Sequence, residues 1–300
     1  MRISAICLFT KELFMHPVVF QFGKLVIHSY GLMLALSFLL GIWFSGRRAK
    51  KNGLNPAVVS DIGFWIIISA IVGSRLYYVF LHFDEFKGNL INIFNPFHGD
   101  TLGIGGLVMY GGMIGAILAG VLFFKLKKLP FLPYADVCAP SFAFGIFLTR
   151  IGCFLNGCCY GQPTEAFYGV HFPTSSPAGN YMVHIHASKL IPSQLLLSAG
   201  GLVIAIIVLT VGRKKIFTGF QFYLTVVLYS ILRFLVDFTR YYGEDEKIAT
   251  LSHNQIVCIV IFIIFMGLIA KNLIFKSEEP EETVTEQPEP AAETHNTPDS

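Results

Sequence analysis

The chain has 300 residues, of which 54% are hydrophobic and only 14% are charged, and its mean hydropathy is +0.61. A soluble domain needs more charge to cover its surface, so this composition excludes an ordinary water-soluble protein and predicts a membrane protein. The formal net charge is +3 with no basic stripe, so no nucleic-acid partner is expected. The apolar stretch within residues 1–10 is too brief for a cleavable signal peptide.

Seven apolar runs are long enough to cross a bilayer as helices. They cover Val26–Gly46, Ile62–Phe83, Leu102–Phe124, Ala135–Leu155, Ser193–Val211, Phe217–Val236 and Gln255–Phe275. The third run is rich in glycine, which permits close approach to another helix or a re-entrant segment. We therefore predict an all-α polytopic membrane domain over residues 1–276, with about seven transmembrane helices.

The loops between these runs differ in charge. Basic residues follow the first, third and fifth runs, at Arg47, Arg48, Lys50, Lys51, Lys125, Lys127, Lys128, Arg213, Lys214 and Lys215. Acidic residues occupy two of the other loops, at Asp84, Glu85, Asp100, Glu244, Asp245 and Glu246. The positive-inside rule then predicts an outer N-terminus and a cytoplasmic C-terminus. Residues 277–300 form an acidic tail with several prolines, which we expect to be disordered in the cytoplasm.

This topology gathers polar residues at the outer ends of the helices. Arg233, Asp237 and Arg240 follow an i, i+4, i+7 spacing and share one helix face. Ionisable residues within a membrane span are costly and suggest function, although Arg233 and Asp237 could instead form a buried packing pair, and arginines can snorkel to the interface. Arg150 and Arg233 at headgroup depth suit a lipid phosphate, since a guanidinium clamps phosphate oxygens. An enzyme acting on a phospholipid and a transporter of anionic lipids could both use that feature.

Several motifs, in their order along the chain, resemble the prolipoprotein diacylglyceryl transferase family. That family carries the signature Gly-Arg-x-Gly-Asn-Phe-x-Asn-x-Glu-x-x-Gly, and residues 149–161 read Thr-Arg-Ile-Gly-Cys-Phe-Leu-Asn-Gly-Cys-Cys-Tyr-Gly. Further landmarks are residues 30–33 (Tyr-Gly-Leu-Met), 111–115 (Gly-Gly-Met-Ile-Gly), 192–194 (Pro-Ser-Gln) and 233–238 (Arg-Phe-Leu-Val-Asp-Phe). The resemblance extends from about Pro17 to Ile274.

The resemblance implies transfer of a diacylglyceryl group from phosphatidylglycerol to the lipobox cysteine of a prolipoprotein signal peptide in the bacterial inner membrane. The thiol would become a thioether and glycerol phosphate would be released, with membrane lipids as surroundings and no cofactor. By position, the resemblance implies catalytic roles for Tyr30, Tyr110, Asn156, Arg233 and Asp237, and substrate binding by Arg150, Gly152, Gly161 and Arg240. No metal ligand is implied.

The chain departs from the family pattern at three positions. Tyr110 stands where the family usually has His, and Cys153 and Cys158 replace the Asn and Glu of the signature. A phenol with a pKa of about 10 is a poor base at neutral pH, unless an arginine lowers it. His171, His184 and His186 could supply a base from an outer loop, or could be ordinary loop histidines.

Three interpretations of Cys153, Cys158 and Cys159 stay open from the sequence. They could be small packing residues or a disulfide on the oxidising side of the membrane. One of them could be a thiolate near Arg150 that acts as base or transient acceptor. A metal or redox centre is the least favoured, because no His or Cys partner follows at a recognised spacing. The functional alternatives are a related transferase with another acceptor and a non-enzymatic protein that binds or transports anionic lipids.

Overall fold

The computed structural model describes residues 17–22, 25–86, 108–214, 216–241, 247–248 and 250–275. Within them, seven helices are long and apolar enough to cross a membrane, which confirms the predicted all-α polytopic architecture. These are α1 (Ser29–Lys51), α2 (Pro56–Leu81), α3 (Met109–Lys127), α4 (Phe131–Asn156), α5 (Ser193–Val211), α6 (Phe220–Asp237) and α7 (His253–Phe275). Two short helices, Phe83–Phe86 and Pro177–His184, lie in connections. The acidic tail predicted at 277–300 lies outside the described residues.

The starts of α1 and α2 differ from those of the apolar runs for local reasons. α1 begins at Ser29 because Leu25–His28 forms strand β2, which pairs antiparallel with β1 (Val18–Phe22). α2 begins earlier than its run because the Asn55 side chain accepts a hydrogen bond from the Ala57 amide and Pro56 suits the first turn. A second hairpin, β3 (Lys247–Ile248) with β4 (Leu251–Ser252), precedes α7. Hydropathy alone detects neither hairpins nor caps.

Helix α4 lies at the centre of the bundle and is the most buried of the seven. It contacts α1, α5 and α6, while α2 packs mainly on α3, and α7 packs on α6. Large apolar side chains such as Trp43, Phe80 and Ile117 remain exposed on the outer faces of the helices. Such faces are suited to contact with lipid.

A hydrogen-bond network joins α1, α4 and α6 at the end of the bundle where the basic loops lie. The Asp136 carboxylate accepts hydrogen bonds from the amides of Gly219 (2.6 Å) and Phe222 (2.9 Å), at the start of α6. Arg48 donates to the carbonyl of Val137 (2.9 Å) and to Oε1 of Gln221 (2.7 Å). An anion at a helix N-terminus is favourable, so this network fixes α6 against α4.

Of the two possibilities for the glycine-rich third run, close helix approach is observed between α2 and α3. A Cβ added to Gly111 would lie 2.3 Å from the carbonyl oxygen of Gly73, and one added to Gly115 would lie 2.3 Å from that of Ser69. The backbones of the two helices therefore touch, as small residues allow in membrane bundles.

We expect Gly115→Ala to destabilise the protein by about 1–3 kcal/mol, because the new methyl group collides with backbone that cannot move without separating the helices. Gly120→Ala, on the same helix with nothing within 4 Å of its Cβ position, is the matched control and should be neutral or stabilising by up to about 1 kcal/mol. Thermal unfolding in one detergent compares the two variants. Equal stability of both would contradict the packing argument.

Candidate functional site

A cavity of about 470 Å³ lies among α1, α2 and α4. Its walls are mostly apolar, with Leu34, Phe38, Ile42, Ile62, Ile66 and Phe142 among the lining residues. Polar groups lie mainly towards its two ends. Ser45, Cys138 and Ser141 lie at one end, and Tyr30, Thr149, Arg150 and the three clustered cysteines lie at the other, which is called the polar end below. The volume is typical of sites for small ligands. An apolar cavity with a cation near one end suits an amphiphile with an anionic head.

Arg150 is the cation of this cavity. Its Nη1 lies 3.9 Å from Sγ of Cys153, and its side chain also makes a hydrogen bond with Tyr229 of α6. No carboxylate in the described part of the chain lies within ion-pair distance of Arg150. A partly buried guanidinium without a carboxylate partner can bind an anionic ligand through charge-assisted hydrogen bonds.

The end of α4 brings Cys153 and Cys158 together. Gly157 adopts a left-handed conformation (φ 69°), its amide donates to the carbonyl of Phe154, and the Cys158 amide donates to the carbonyl of Cys153. This pair of bonds is the Schellman motif, in which the residue after the glycine lies close to the residue four positions before the glycine. The loop thus places Cys158 beside Cys153, and Cys159 follows with a positive φ of 60°.

The predicted residues Tyr30, Gly152 and Asn156 surround this cysteine cluster. Gly152 lies where α4 crosses α1, since an added Cβ would lie 2.8 Å from Cβ of Met33 and 3.3 Å from Cα of Tyr30. This close crossing holds Tyr30 against the end of the cavity that contains Arg150. The Asn156 side chain makes a hydrogen bond with the Cys158 thiol.

Gly161 and Arg240 occupy a tight crossing of three chain segments next to the cluster. The Gly161 amide donates to the carbonyl of Ile191 (2.9 Å), and Gly161 and Arg240 form an isolated antiparallel bridge. A Cβ on Gly161 would lie 2.4 Å from both Oγ of Ser193 and the carbonyl oxygen of Thr239, so the position accepts only glycine without rearrangement. Gly161 thus has a packing role here.

The positive charge of Arg240 contributes to the pKa of the Cys159 thiol. Hydrogen bonds from the thiols of Cys153 and Cys158, with the charges of Arg150 and Arg240, lower the pKa of the Cys159 thiol below its usual value.

Arg233 and Asp237 lie elsewhere. Arg233 Nη2 lies 3.2 Å from Oδ1 of Asp237, whose side chain is completely buried. The other Asp237 oxygen accepts a hydrogen bond from the Ser252 hydroxyl. Ser252 in turn caps α7: its hydroxyl accepts from the Gln255 amide, and Oε1 of Gln255 accepts from the Ser252 amide. Neither Arg233 nor Asp237 lines the cavity, and their catalytic roles stay predictions.

Tyr110 and the loop histidines also lie apart from the cavity lining. Tyr110 is the second residue of α3 and is 58% exposed, whereas its neighbour Met109 lines the cavity. His171, His184 and His186 are exposed, and Nδ1 of His171 lies 3.0 Å from the carbonyl of Ser188. The catalytic role of Tyr110 stays a prediction.

Two buried residues were given no role from the sequence: Gln194, which lies in the landmark at residues 192–194, and Arg75. Gln194 is fully buried, and its Nε2 donates to the Cys158 carbonyl at 2.7 Å, which holds the cysteine loop against α5. Arg75 is buried in α2, with its guanidinium 5.6 Å from the ring centre of Tyr78 and 5.5 Å from that of Phe86. An arginine inside the apolar run Ile62–Phe83 was the signal that could have identified it.

Comparisons with known proteins agree with the architecture and the motifs. A profile of the family described as prolipoprotein diacylglyceryl transferase matches residues 17–271. A phosphatidylglycerol–prolipoprotein diacylglyceryl transferase of Clostridium tetani is 34% identical over 260 residues, which cover 86% of this chain and 98% of the relative. Proteins of the same name from Geobacter sulfurreducens (34% identical, 75% of this chain, 82% of the relative) and Aeromonas salmonicida (35%, 75% and 77%) are similar to this chain too.

The described residues include seven helices long and apolar enough to cross a membrane. With these bacterial relatives, they make the chain a multi-pass protein of the bacterial inner membrane. The profile match covers most of the chain, and relatives above 30% identity align along most of their own length. The chain belongs to the prolipoprotein diacylglyceryl transferase family.

Proposed function

We propose that this protein transfers the diacylglyceryl group of phosphatidylglycerol to the thiol of a prolipoprotein's lipobox cysteine. The names of the relatives support both substrates. The observation that carries the proposal is Arg150, a cation without a carboxylate partner among the described residues, at the polar end of an apolar cavity. The acyl chains would lie along the apolar walls and the phosphate would bind Arg150. That end of the bundle would face outward, in line with the charges of the loops.

The reaction requires a thiolate and a stabilised leaving group. The thiolate sulfur attacks the phosphate-bearing carbon of the diacylglyceryl moiety, and a carbon–sulfur bond forms. The bond from that carbon to the phosphate oxygen breaks, and its electron pair leaves with the headgroup glycerol phosphate. Arg150 can donate two hydrogen bonds to phosphate oxygens and so stabilise the charge that develops on the leaving group. Arg240 would add positive potential from the neighbouring segment, and Tyr30 and Asn156 would contact the substrates at the same end.

Purified protein, phosphatidylglycerol labelled in its acyl chains and a lipobox peptide provide the test. We expect label to appear on the peptide with an equal amount of glycerol phosphate, and none on a peptide whose cysteine is replaced by serine. The absence of both products, from folded protein that still binds phosphatidylglycerol, would overturn the proposal in favour of a lipid-binding or transport role.

A transferase with a different acceptor is the second candidate. The departures from the family pattern at Tyr110, Cys153 and Cys158 favour it, since two of these residues contribute thiols to the end of the cavity where the acceptor would enter. Release of glycerol phosphate without labelling of the lipobox peptide would support this candidate against the first.

A further inference from the structure

Three cysteine thiols converge at the polar end of the cavity. The Sγ atoms of Cys153, Cys158 and Cys159 all lie within 4.8 Å of one another, and all three residues line the cavity. Tetrahedral Zn²⁺ with Zn–S bonds of about 2.3 Å holds its sulfur ligands about 3.8 Å apart. Each sulfur would have to move by about 1 Å or less to reach that spacing, well within the range of a side-chain adjustment.

The backbone holds these thiols in place at a cost. Cys159 adopts φ 60°, a left-handed conformation that disfavours any residue with a Cβ by about 1 kcal/mol or more. The preceding loop is fixed by the two hydrogen bonds of the Schellman motif and by the fully buried Gln194, whose Nε2 donates to the Cys158 carbonyl. These contacts hold the thiols in position before any ligand binds, as is typical of a metal site.

The surroundings also match the charge of a metal–thiolate centre. Three thiolates and one divalent cation carry a net charge of −1. Arg150 Nη1 lies 3.9 Å from Cys153 Sγ, so a guanidinium group opposes that charge. No fourth His, Cys, Asp or Glu joins the group in the described part of the chain. A fourth coordination position would therefore be open towards the cavity, as in catalytic rather than structural zinc sites.

We propose that Cys153, Cys158 and Cys159 bind one thiophilic divalent ion, Zn²⁺, whose open position takes the thiol of the acceptor cysteine; this last part rests on the proposed function. Coordination releases the thiol proton to water, because a metal-bound thiol is deprotonated. The bound sulfur then forms its bond to the glycerol carbon, the carbon–oxygen bond breaks, and the electron pair leaves with glycerol phosphate. Water replaces the thioether on the metal. The site would supply the thiolate at the cavity, whereas Tyr110 does not line the cavity.

Metal binding is tested without reference to activity. Full-length protein purified without chelators should contain about one Zn²⁺ per chain when its metal content is measured, since one site binds one ion. After zinc removal, Co²⁺ should produce a thiolate-to-cobalt charge-transfer band that saturates at one equivalent. Cys159→Ser should lose the band. Cys258→Ser, which replaces a buried thiol of α7 outside the cluster, is the matched control and should keep it.

Three results would overturn the metal site. They are no charge-transfer band in folded wild-type protein, a band that Cys159→Ser leaves intact, and a disulfide between two of the three cysteines in protein purified without reductant. The wild-type titration needs no variant, so the test holds even where a serine variant fails to fold.

The transfer assay separates the two parts of the proposal. We expect removal of the ion to slow transfer about 10²-fold or more, the size of a general-base contribution, and added Zn²⁺ to restore it. Transfer at an unchanged rate by metal-free protein would refute the role of the open position while leaving the proposed function intact. A metal-loaded protein that transfers nothing would refute the proposed function and leave the metal site standing.

Discussion

Arg150→Ala should lower the catalytic efficiency of diacylglyceryl transfer about 10²–10³-fold, the loss measured when one preorganised stabiliser of transition-state charge is removed from an active site. Arg150 is the cation at the polar end of the cavity, and its hydrogen bonds with a phosphate would strengthen as charge accumulates on the leaving oxygen. The assay follows labelled phosphatidylglycerol and a lipobox peptide at several lipid concentrations.

Two further variants sharpen this experiment. Arg150→Lys keeps the charge but loses the planar pair of donors, so we expect an intermediate rate. Arg47→Ala is the matched control. Arg47 is exposed near the end of α1 away from Tyr30, and its guanidinium stacks on the Trp43 ring at 4.0 Å. A folded Arg150→Ala protein with the wild-type rate would exclude this arginine from the reaction.

The positions of the helices were more predictable from the sequence than the side-chain contacts at the helix ends. Runs of apolar residues determine which segments enter a bilayer, so all seven spans were predictable. The topology also placed Tyr30 and Arg150 at one end of the bundle, and both line one cavity. The spacing of Arg233 and Asp237 likewise predicted a shared helix face, and they form an ion pair. The role of Ser252 was not predictable, because it arrives from a hairpin distant in sequence.

The cysteine cluster shows what local geometry adds to spacing. The pattern of Cys153, Cys158 and Cys159 matches no recognised set of metal ligands in sequence. Gly157 nevertheless ends α4 with a Schellman motif, which places Cys158 next to Cys153. The Asn and Glu of the family signature occupy these same two positions. The two cysteine replacements therefore occur at positions that are neighbours in space. The glycine at the end of the helical run was the sequence signal for that proximity.

Asp237→Ala should destabilise the protein by about 3–5 kcal/mol, the cost of removing one partner from a buried ion pair. The change would remove the ion-pair partner of the largely buried Arg233 and deprive Ser252 of its acceptor at the start of α7. Thermal unfolding in detergent measures the effect, and Asp61→Ala, at an exposed position of α2, is the matched control.

A double replacement separates a structural role of this pair from a catalytic one. With leucine at both positions 233 and 237, no uncompensated charge remains, so most of the lost stability should return. If the double variant also transfers diacylglyceryl groups at the wild-type rate, the pair serves to join α6 to α7. A stable double variant without transfer would instead support the predicted catalytic role of Arg233 and Asp237, and the lipid phosphate would then require a cation from outside the cavity lining. An Asp237→Ala protein as stable as Asp61→Ala would contradict the structural role directly.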